Sequence, residues 1–451
     1  MKRTVLTLIT ILLMLASLAS CKPEEPKENN SYINGVKLGE YSIVYSDEDH
    51  YAYRAATYIS DEIYARTGVK LRVVEDSCES SAAYEIVVGE TEREISSRLD
   101  EDTEGVEFAI LAEDTQIALE GDYFVIAAAA YYFVDTYVPE NDYSAEIPKE
   151  VSVHEPITRE AKNFIMLIGD GMGVNQTRLF EAFDERAEYS DGEDAFYGYM
   201  LPYLGYARTD SLSGITDSAA AGTALSCGIK TKNGYVGQNE HHEDVQSITE
   251  LAATLGKATA VMSTETSTGA TPAAFSSHVE DRSYDTDIIK DQNMLKDTYG
   301  TLISCYFNHY TATKVEGIES RISTILDTLD NDTDGFFLMY EEAHIDKHSH
   351  SNDMENTYLA LQRFNQAIAE FMQYAFYHPE TVIIITADHE TGGLTIAEDG
   401  GFAYTSEDHT GVDVPVFAYG EGAGCFNGTT VENTEIPKRI AALMGVDSFG
   451  E

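Results

Sequence analysis

Positive charge is what this chain has least of: 29 Lys and Arg stand against 78 Asp and Glu, giving a formal charge of −49. So anionic a surface repels phosphate backbones and anionic headgroups, which excludes a nucleic-acid-binding protein. Most of the acids are expected on a solvated exterior. Cysteine is also sparse. The five residues Cys21, Cys78, Cys227, Cys305 and Cys425 include no CxxC pair, and no histidine stands at zinc-finger spacing from them, so a cysteine-based zinc module is excluded. The four beyond Cys21 could form two bridges in an exported protein, with three connectivities open. No internal repeat is visible. Nor does the apolar stretch Val5 to Leu18 make a spanning helix: it is too short and too N-terminal, and behind Lys2 and Arg3 it reads as an export signal.

That signal ends in Leu18-Ala19-Ser20-Cys21, which resembles a bacterial lipoprotein signal. The resemblance implies cleavage before Cys21 and anchoring at the cell envelope by a lipid on its sulfur; the alternative is a signal peptide with an incidental cysteine. Loss of residues 1–20 strips two positive charges and no acid, leaving −51. Residues 21–33, with two prolines and several charges, read as a tether. From 34 to 155 the pattern is a small α+β domain. It has strands at Tyr41–Tyr45, Lys70–Val74, Tyr84–Val88, Val106–Leu111 and Gln116–Leu119. Its helices run over Tyr51–Arg66, closed by Gly68, and Tyr123–Val138, ended by Pro139. This domain resembles the noncatalytic N-terminal domain of some exported carbohydrate-active enzymes, and its ligand is left open. From 156 to 451 strand and helix patterns alternate, which predicts an α/β domain: a large, mostly parallel sheet flanked by helices on both faces. The polar residues 281–325 read as an insertion over the rim of that sheet.

Three apolar runs in this second domain lead directly to ionisable residues. Phe164–Ile168 precedes Asp170, Phe336–Met339 precedes Glu341, and Val382–Ile385 precedes Asp388 and His389. Such runs read as buried parallel strands, and open α/β sheets bind ligands at strand carboxyl ends. A buried strand seldom ends in an ionisable pair without a partner for it. Asp346 and His350 are four residues apart, so on a helix both reach one ion. Ser218 stands ahead of an Ala-rich helix former, where first-turn amides would face whatever it attacks. In isolation Asp217 and Ser218 read equally as a helix cap, and His409 as a solvated loop histidine.

In company these segments resemble the alkaline phosphatase family. The resemblance is carried, in the family's order, by Asp170-Gly171-Met172-Gly173, Thr216-Asp217-Ser218, Ala270-Thr271-Pro272 with His278 and Arg282 beyond, Ile345-Asp346-Lys347 with His350, Thr386-Ala387-Asp388-His389, and His409-Thr410-Gly411. It spans about two thirds of the chain and leaves out residues 1–155. It implies two Zn²⁺ and one Mg²⁺. One zinc would take Asp346, His350 and His409; the other would take Asp170, Asp388 and His389 with the oxygen of Ser218. Magnesium would take Asp170, Thr271 and Glu341. These sets agree with independent chemistry, since imidazole with carboxylate suits zinc and an all-oxygen set suits magnesium. The implied reaction is hydrolysis of phosphate monoesters through a phosphoserine on Ser218. Arg282 would grip two phosphoryl oxygens and Lys347 would contact phosphate through water. Homodimers are usual in the family.

Two positions depart from the family pattern. Gly269 stands where other members carry an Asp or His that supports the magnesium water shell, and Glu342 replaces a Gly. The alternative enzyme readings are a phosphodiesterase or sulfatase of the same superfamily. From another class comes a surface binding lipoprotein with a structural metal domain.

Overall fold

The apolar runs are strands. The computed structural model describes residues 30–47, 49–78, 83–99, 105–138, 143–180, 196–305, 317–397 and 400–450. The export signal, Cys21, residues 22–29 of the tether and the helix stop at Pro139 lie outside these. The described chain separates into two compact units, the smaller from residues up to 99, 109–120 and 129–151, the larger from 105–108, 121–128 and 152 onward.

In the smaller unit the strand Tyr41–Tyr45 lies between Arg72–Glu75 and Tyr84–Val88, parallel to both, and Gln116–Glu120 continues the parallel set. Phe108–Glu113 then turns antiparallel, and Glu150–Val153 closes a six-stranded mixed sheet. The helix His50–Thr67 starts where the Asp49 side chain accepts the Tyr51 N–H and stops at Gly68, whose φ of 73° suits glycine. The expected helix from Tyr123 begins as a 3-10 turn, Tyr123–Val125, before Ile126–Tyr137. One correction concerns the tether: its last two residues, Tyr32–Ile33, are a strand paired with Val36–Lys37 and Ser144–Ala145. Ile33 is buried there, so this end of the segment has an apolar contact to gain.

The larger unit is built on eight strands, here numbered in chain order: β1 (Asn163–Gly169), β2 (Tyr203–Arg208), β3 (Ala258–Ser263), β4 (Leu302–Cys305), β5 (Phe336–Glu342), β6 (Thr381–Thr386), β7 (Val414–Tyr419) and β8 (Thr430–Glu432). Their order across the sheet is β4-β3-β5-β1-β6-β7-β2-β8. Pairing is parallel except where β7 meets β6 and β2. β1, β5 and β6 are buried along their whole length, which is why they read as continuous apolar runs instead of alternating ones. Helices flank the sheet. The longest described one, Met354–Tyr377, starts at an Asp353 side chain that accepts the Asn356 N–H and packs on β1, β5 and β6.

A second correction concerns residues 281–325. Their described part is regular: a helix Asp285–Tyr299, the edge strand β4, and the start of a helix Ile318–Leu329. The first helix buries only Ile288, Gln292 and Leu295, so its sequence is mostly polar although it packs. Residues 306–316 lie outside the described chain. Cys78, Cys227, Cys305 and Cys425 are all free thiols, so none of the three open connectivities forms.

Candidate active site

Four adjacent strands, β3, β5, β1 and β6, run parallel and end at one edge of the sheet. The register sets Glu341 opposite both Ile168 and Ser263, and Ile168 opposite Thr386. Asp170, Glu341, Asp388 and His389 therefore leave the sheet side by side. Ser218 arrives from another direction, as the first residue of helix α1 (Ser218–Cys227), which the Asp217 side chain caps by accepting the Ala220 N–H at 2.9 Å. The cap is therefore present, and it leaves Ser218 as the first residue of the helix beside it. Thr271, fully buried, sits in the short helix α2 (Ala270–Ala274), packed on α1 through Ala219, Ala270, Ala273 and Ala274. Asp346 and His350 share helix α3 (His344–His350), with Oδ1 and Nε2 3.3 Å apart.

Three imidazoles converge with their Nε2 atoms. His350 Nδ1 bonds to the Glu407 carbonyl, and His409 Nδ1 to the Thr216 carbonyl at 2.8 Å. A carbonyl only accepts, so each Nδ1 carries the hydrogen and each Nε2 presents a lone pair inward. Thr391 donates its hydroxyl to Asp346 Oδ1, which leaves its oxygen to accept from His389 Nδ1 at 3.2 Å. The third Nε2 thus also faces in. His350 and His409 bring these nitrogens to 3.1 Å of each other, and His409 Nε2 is 3.5 Å from Asp346 Oδ1. His389 Nε2 lies 3.2 Å from Ser218 Oγ, 3.2 Å from Asp388 Oδ2 and 3.7 Å from Asp170 Oδ1. His409 is no solvated loop residue: its ring stacks on that of His389, centroids 3.5 Å apart.

The carboxylates are equally short of partners. Asp388 Oδ1 accepts the N–H groups of Gly171 and His389, whereas Asp388 Oδ2, Asp170 Oδ1, Glu341 Oε1 and Thr271 Oγ1 are buried without a hydrogen-bond partner. Buried polar atoms are ordinarily satisfied, so this many orphans in one place mark a site built for a ligand that supplies positive charge. Burial, then Asp388, pushes Asp170 well above the usual carboxylate range. Burial and Glu265 do the same to Glu341, and burial lifts Asp388 to about 7. Burial and the neighbouring His409 push His389 well below its usual value. Acids pushed up and imidazoles pushed down in one cleft are what cation-binding ligands look like without their charge partner. Two triads have ligand atoms mutually within 4.8 Å: Asp346, His350 and His409, and Asp170, Asp346 and His389. Asp346 belongs to both. Gly171 makes this approach possible, because its φ is +76° and a Cβ there would lie 2.7 Å from Asp346 Cα.

A family model described as alkaline phosphatase matches residues 161–315 and 311–403. The chain belongs to the alkaline phosphatase family. Alkaline phosphatase 3 of Bacillus subtilis (strain 168) is 29% identical over 300 residues, which span 55% of this chain and 65% of that relative, just under two thirds of its length. The structure of alkaline phosphatase from the Antarctic bacterium TAB5 matches with a TM-score of 0.56 at 26% identity, covering 64% of this chain and 99% of that one. A mutant of the TAB5 enzyme with Mg bound in its M3 site matches with a TM-score of 0.55 at 26% identity, over 65% of this chain and 100% of that one.

The residues anticipated in the sequence, Asp170, Ser218, Thr271, Glu341, Asp346, His350, Asp388, His389 and His409, are placed at this edge of the sheet. Arg282 and Lys347 each hold a carboxylate. Arg282 Nη1 is 3.3 Å from Asp217 Oδ2, next to the serine, and Lys347 Nζ is 2.5 Å from Glu265 Oε2. Sequence reasoning passed over Thr391 and Glu265. Glu265 follows the apolar strand β3 as Asp170 follows β1, a signal that would have found it; Thr391 carries no such mark. Glu342, whose purpose was open, is fully buried. Burial opposes its charge, yet Arg363, 2.9 Å away, and His344 hold its carboxyl down at about 2. It ties the end of β5 to the long helix Met354–Tyr377.

Proposed function

We propose that this chain hydrolyses phosphate monoesters by a metal-dependent route in which Ser218 is the nucleophile. The observation that carries the reading is the meeting of three inward Nε2 lone pairs and several unpartnered carboxylate oxygens around Ser218 Oγ. The donor chemistry fits the cations. Asp346, His350 and His409 would hold one Zn²⁺, and Asp170, Asp388 and His389 a second beside Ser218. Asp170, Thr271 and Glu341, an all-oxygen set, would hold Mg²⁺. Bound there, such ions supply Lewis acidity, favouring the alkoxide of a nearby hydroxyl and neutralising phosphoryl and leaving-group charge.

The protein's own groups do the rest. Ser218 Oγ attacks phosphorus as its proton leaves to solvent, the bond to the ester oxygen breaks, and the alcohol departs after taking up a proton. Water then attacks the phosphoserine, the bond from Oγ to phosphorus breaks, and inorganic phosphate leaves with Ser218 restored. The N-terminus of α1, which begins at Ser218, would lend its positive dipole end to the phosphoryl group. Arg282, anchored by Asp217, offers its fork to two nonbridging oxygens, of which a monoester has more than a diester. Thr391, Glu407 and Thr216 fix the imidazoles so that ligand orientation precedes substrate.

The test is turnover of a chromogenic phosphomonoester, beside elemental analysis of the purified protein. Activity should vanish with chelator and in Ser218→Ala, with zinc and magnesium present in the active preparation. Full activity in Ser218→Ala would remove the nucleophile, and activity indifferent to chelator would remove the metals. The envelope anchor on Cys21 belongs to the same reading, and incorporation of a labelled acyl chain that is lost in Cys21→Ala tests it.

A further inference from the structure

Position 269 has no side chain, and the space it leaves is filled. A Cβ built on Gly269 would lie 1.8 Å from Glu265 Oε1 and 2.3 Å from Glu265 Cδ, so the Glu265 carboxylate occupies the volume that a side chain at 269 would take. The Glu265 N–H donates to Ser263 Oγ at 3.0 Å, and the Ser263 hydroxyl in turn donates to Glu341 Oε2 at 2.5 Å. One serine therefore ties Glu265 to the carboxylate whose other oxygen, Glu341 Oε1, is fully buried and unpartnered. The second oxygen of Glu265 holds Lys347. Lys347 in turn feels Glu265, Asp170 and Glu341 together. Lys347 pairs directly with Glu265, which leaves the unpartnered oxygens of Asp170 and Glu341 for a divalent cation.

We propose that Glu265 is the outer oxygen partner of the cation position at Asp170, Thr271 and Glu341, reaching it from a place in the chain four residues before Gly269. This rests on the metal reading of the same site and adds a positioning residue to it. Hard cations such as Mg²⁺ keep several waters, and those waters need acceptors. Glu265 accepts from them, while Lys347 holds its carboxylate aimed inward. The emptiness of position 269 and the length of the Glu265 side chain are then one arrangement: either residue can fill the notch, but not both.

The experiment measures Mg²⁺ binding to the zinc-loaded protein by calorimetry and by Mg²⁺-dependent rise in melting temperature, neither of which needs turnover. Glu265→Ala should weaken Mg²⁺ binding about tenfold or more with zinc content unchanged. Adding Gly269→Asp to Glu265→Ala should recover most of that loss, and Gly269→Asp alone should lower the melting temperature through the clash with Glu265. Should Glu265→Ala fold poorly, Glu265→Gln, which keeps the volume and one acceptor oxygen, must show an intermediate Mg²⁺ affinity. Unchanged Mg²⁺ affinity in Glu265→Ala overturns the proposal, as does a double variant no better than the single one. A wild-type protein that binds zinc but no Mg²⁺ overturns it too while leaving the ester reading intact. Wild-type protein that binds Mg²⁺ through Glu265 yet turns over no phosphomonoester sinks that reading alone.

Discussion

Thr391 shows how much a single hydroxyl can organise. It donates to Asp346 and accepts from His389, and so orients one member of each ligand triad and sets the tautomer of the second. Thr391→Val keeps the shape and removes both bonds. Zinc affinity should fall about tenfold to a hundredfold, read by competition with a chromogenic chelator. The fold should change little, because a methyl replaces a hydroxyl of similar size; wild-type zinc affinity in the variant would show the orientation to be set elsewhere. Residues such as Asp170, Asp388 and His389 were legible because each follows an apolar run that cannot otherwise end in charge. Thr391 was not, since its role depends on two partners, one 45 residues away, and the two-residue strand Glu390–Thr391 has no pattern that singles it out. The pairing of Arg363 with Glu342 was hidden for the same reason, since the two meet only when a helix docks on a strand end.

Among elements, the helix Ile248–Thr254 is held in an instructive way. Ser247 and Glu250 form a reciprocal cap at its start, and the free oxygen of Glu250 accepts from His278 Nε2 at 3.1 Å. Burial opposes a charge on His278, but Glu250 prevails and lifts its pKa to about 9; burial likewise opposes the Glu250 charge, yet His278 holds its carboxyl below the usual value. The sign follows. His278 contributes stability that is full below its unfolded pKa of about 6.5 and is lost as pH rises through about 9. Glu250 contributes above its unfolded pKa and loses that contribution as pH falls through its lowered one. Both side chains are mostly buried, and the His278 contribution is on the order of 2 kcal/mol. Urea denaturation of the metal-loaded protein should show that much lost between about pH 6 and about pH 9 relative to His278→Asn. A variant with the same pH slope as wild type would contradict the pairing. Long strands and helix stops were readable from pattern alone, as at Gly68. Tyr32–Ile33 was not, because a two-residue strand has no period to detect. The helix Asp285–Tyr299 was obscured by how little of it is buried.

For the molecule as a whole, a charge of −49 would surround a site proposed to take phosphomonoesters. The global field opposes substrate approach, and salt screens it, so the second-order rate constant kcat/KM for a phosphomonoester should rise modestly with ionic strength. A fall would mean that the cleft's local field outweighs the exterior. The chain divides into two units, and the assignment of residues 105–108 and 121–128 to the larger one had no local marker in the sequence. One feature of the centre reaches furthest. On the proposed reading Asp346, a ligand of the first zinc, also stands within reach of Asp170 and His389, so an ion bound at the first position would draw a carboxylate away from beside the second. A stepwise saturation curve should then depart from independent filling, with the affinity of the second step conditioned by the first.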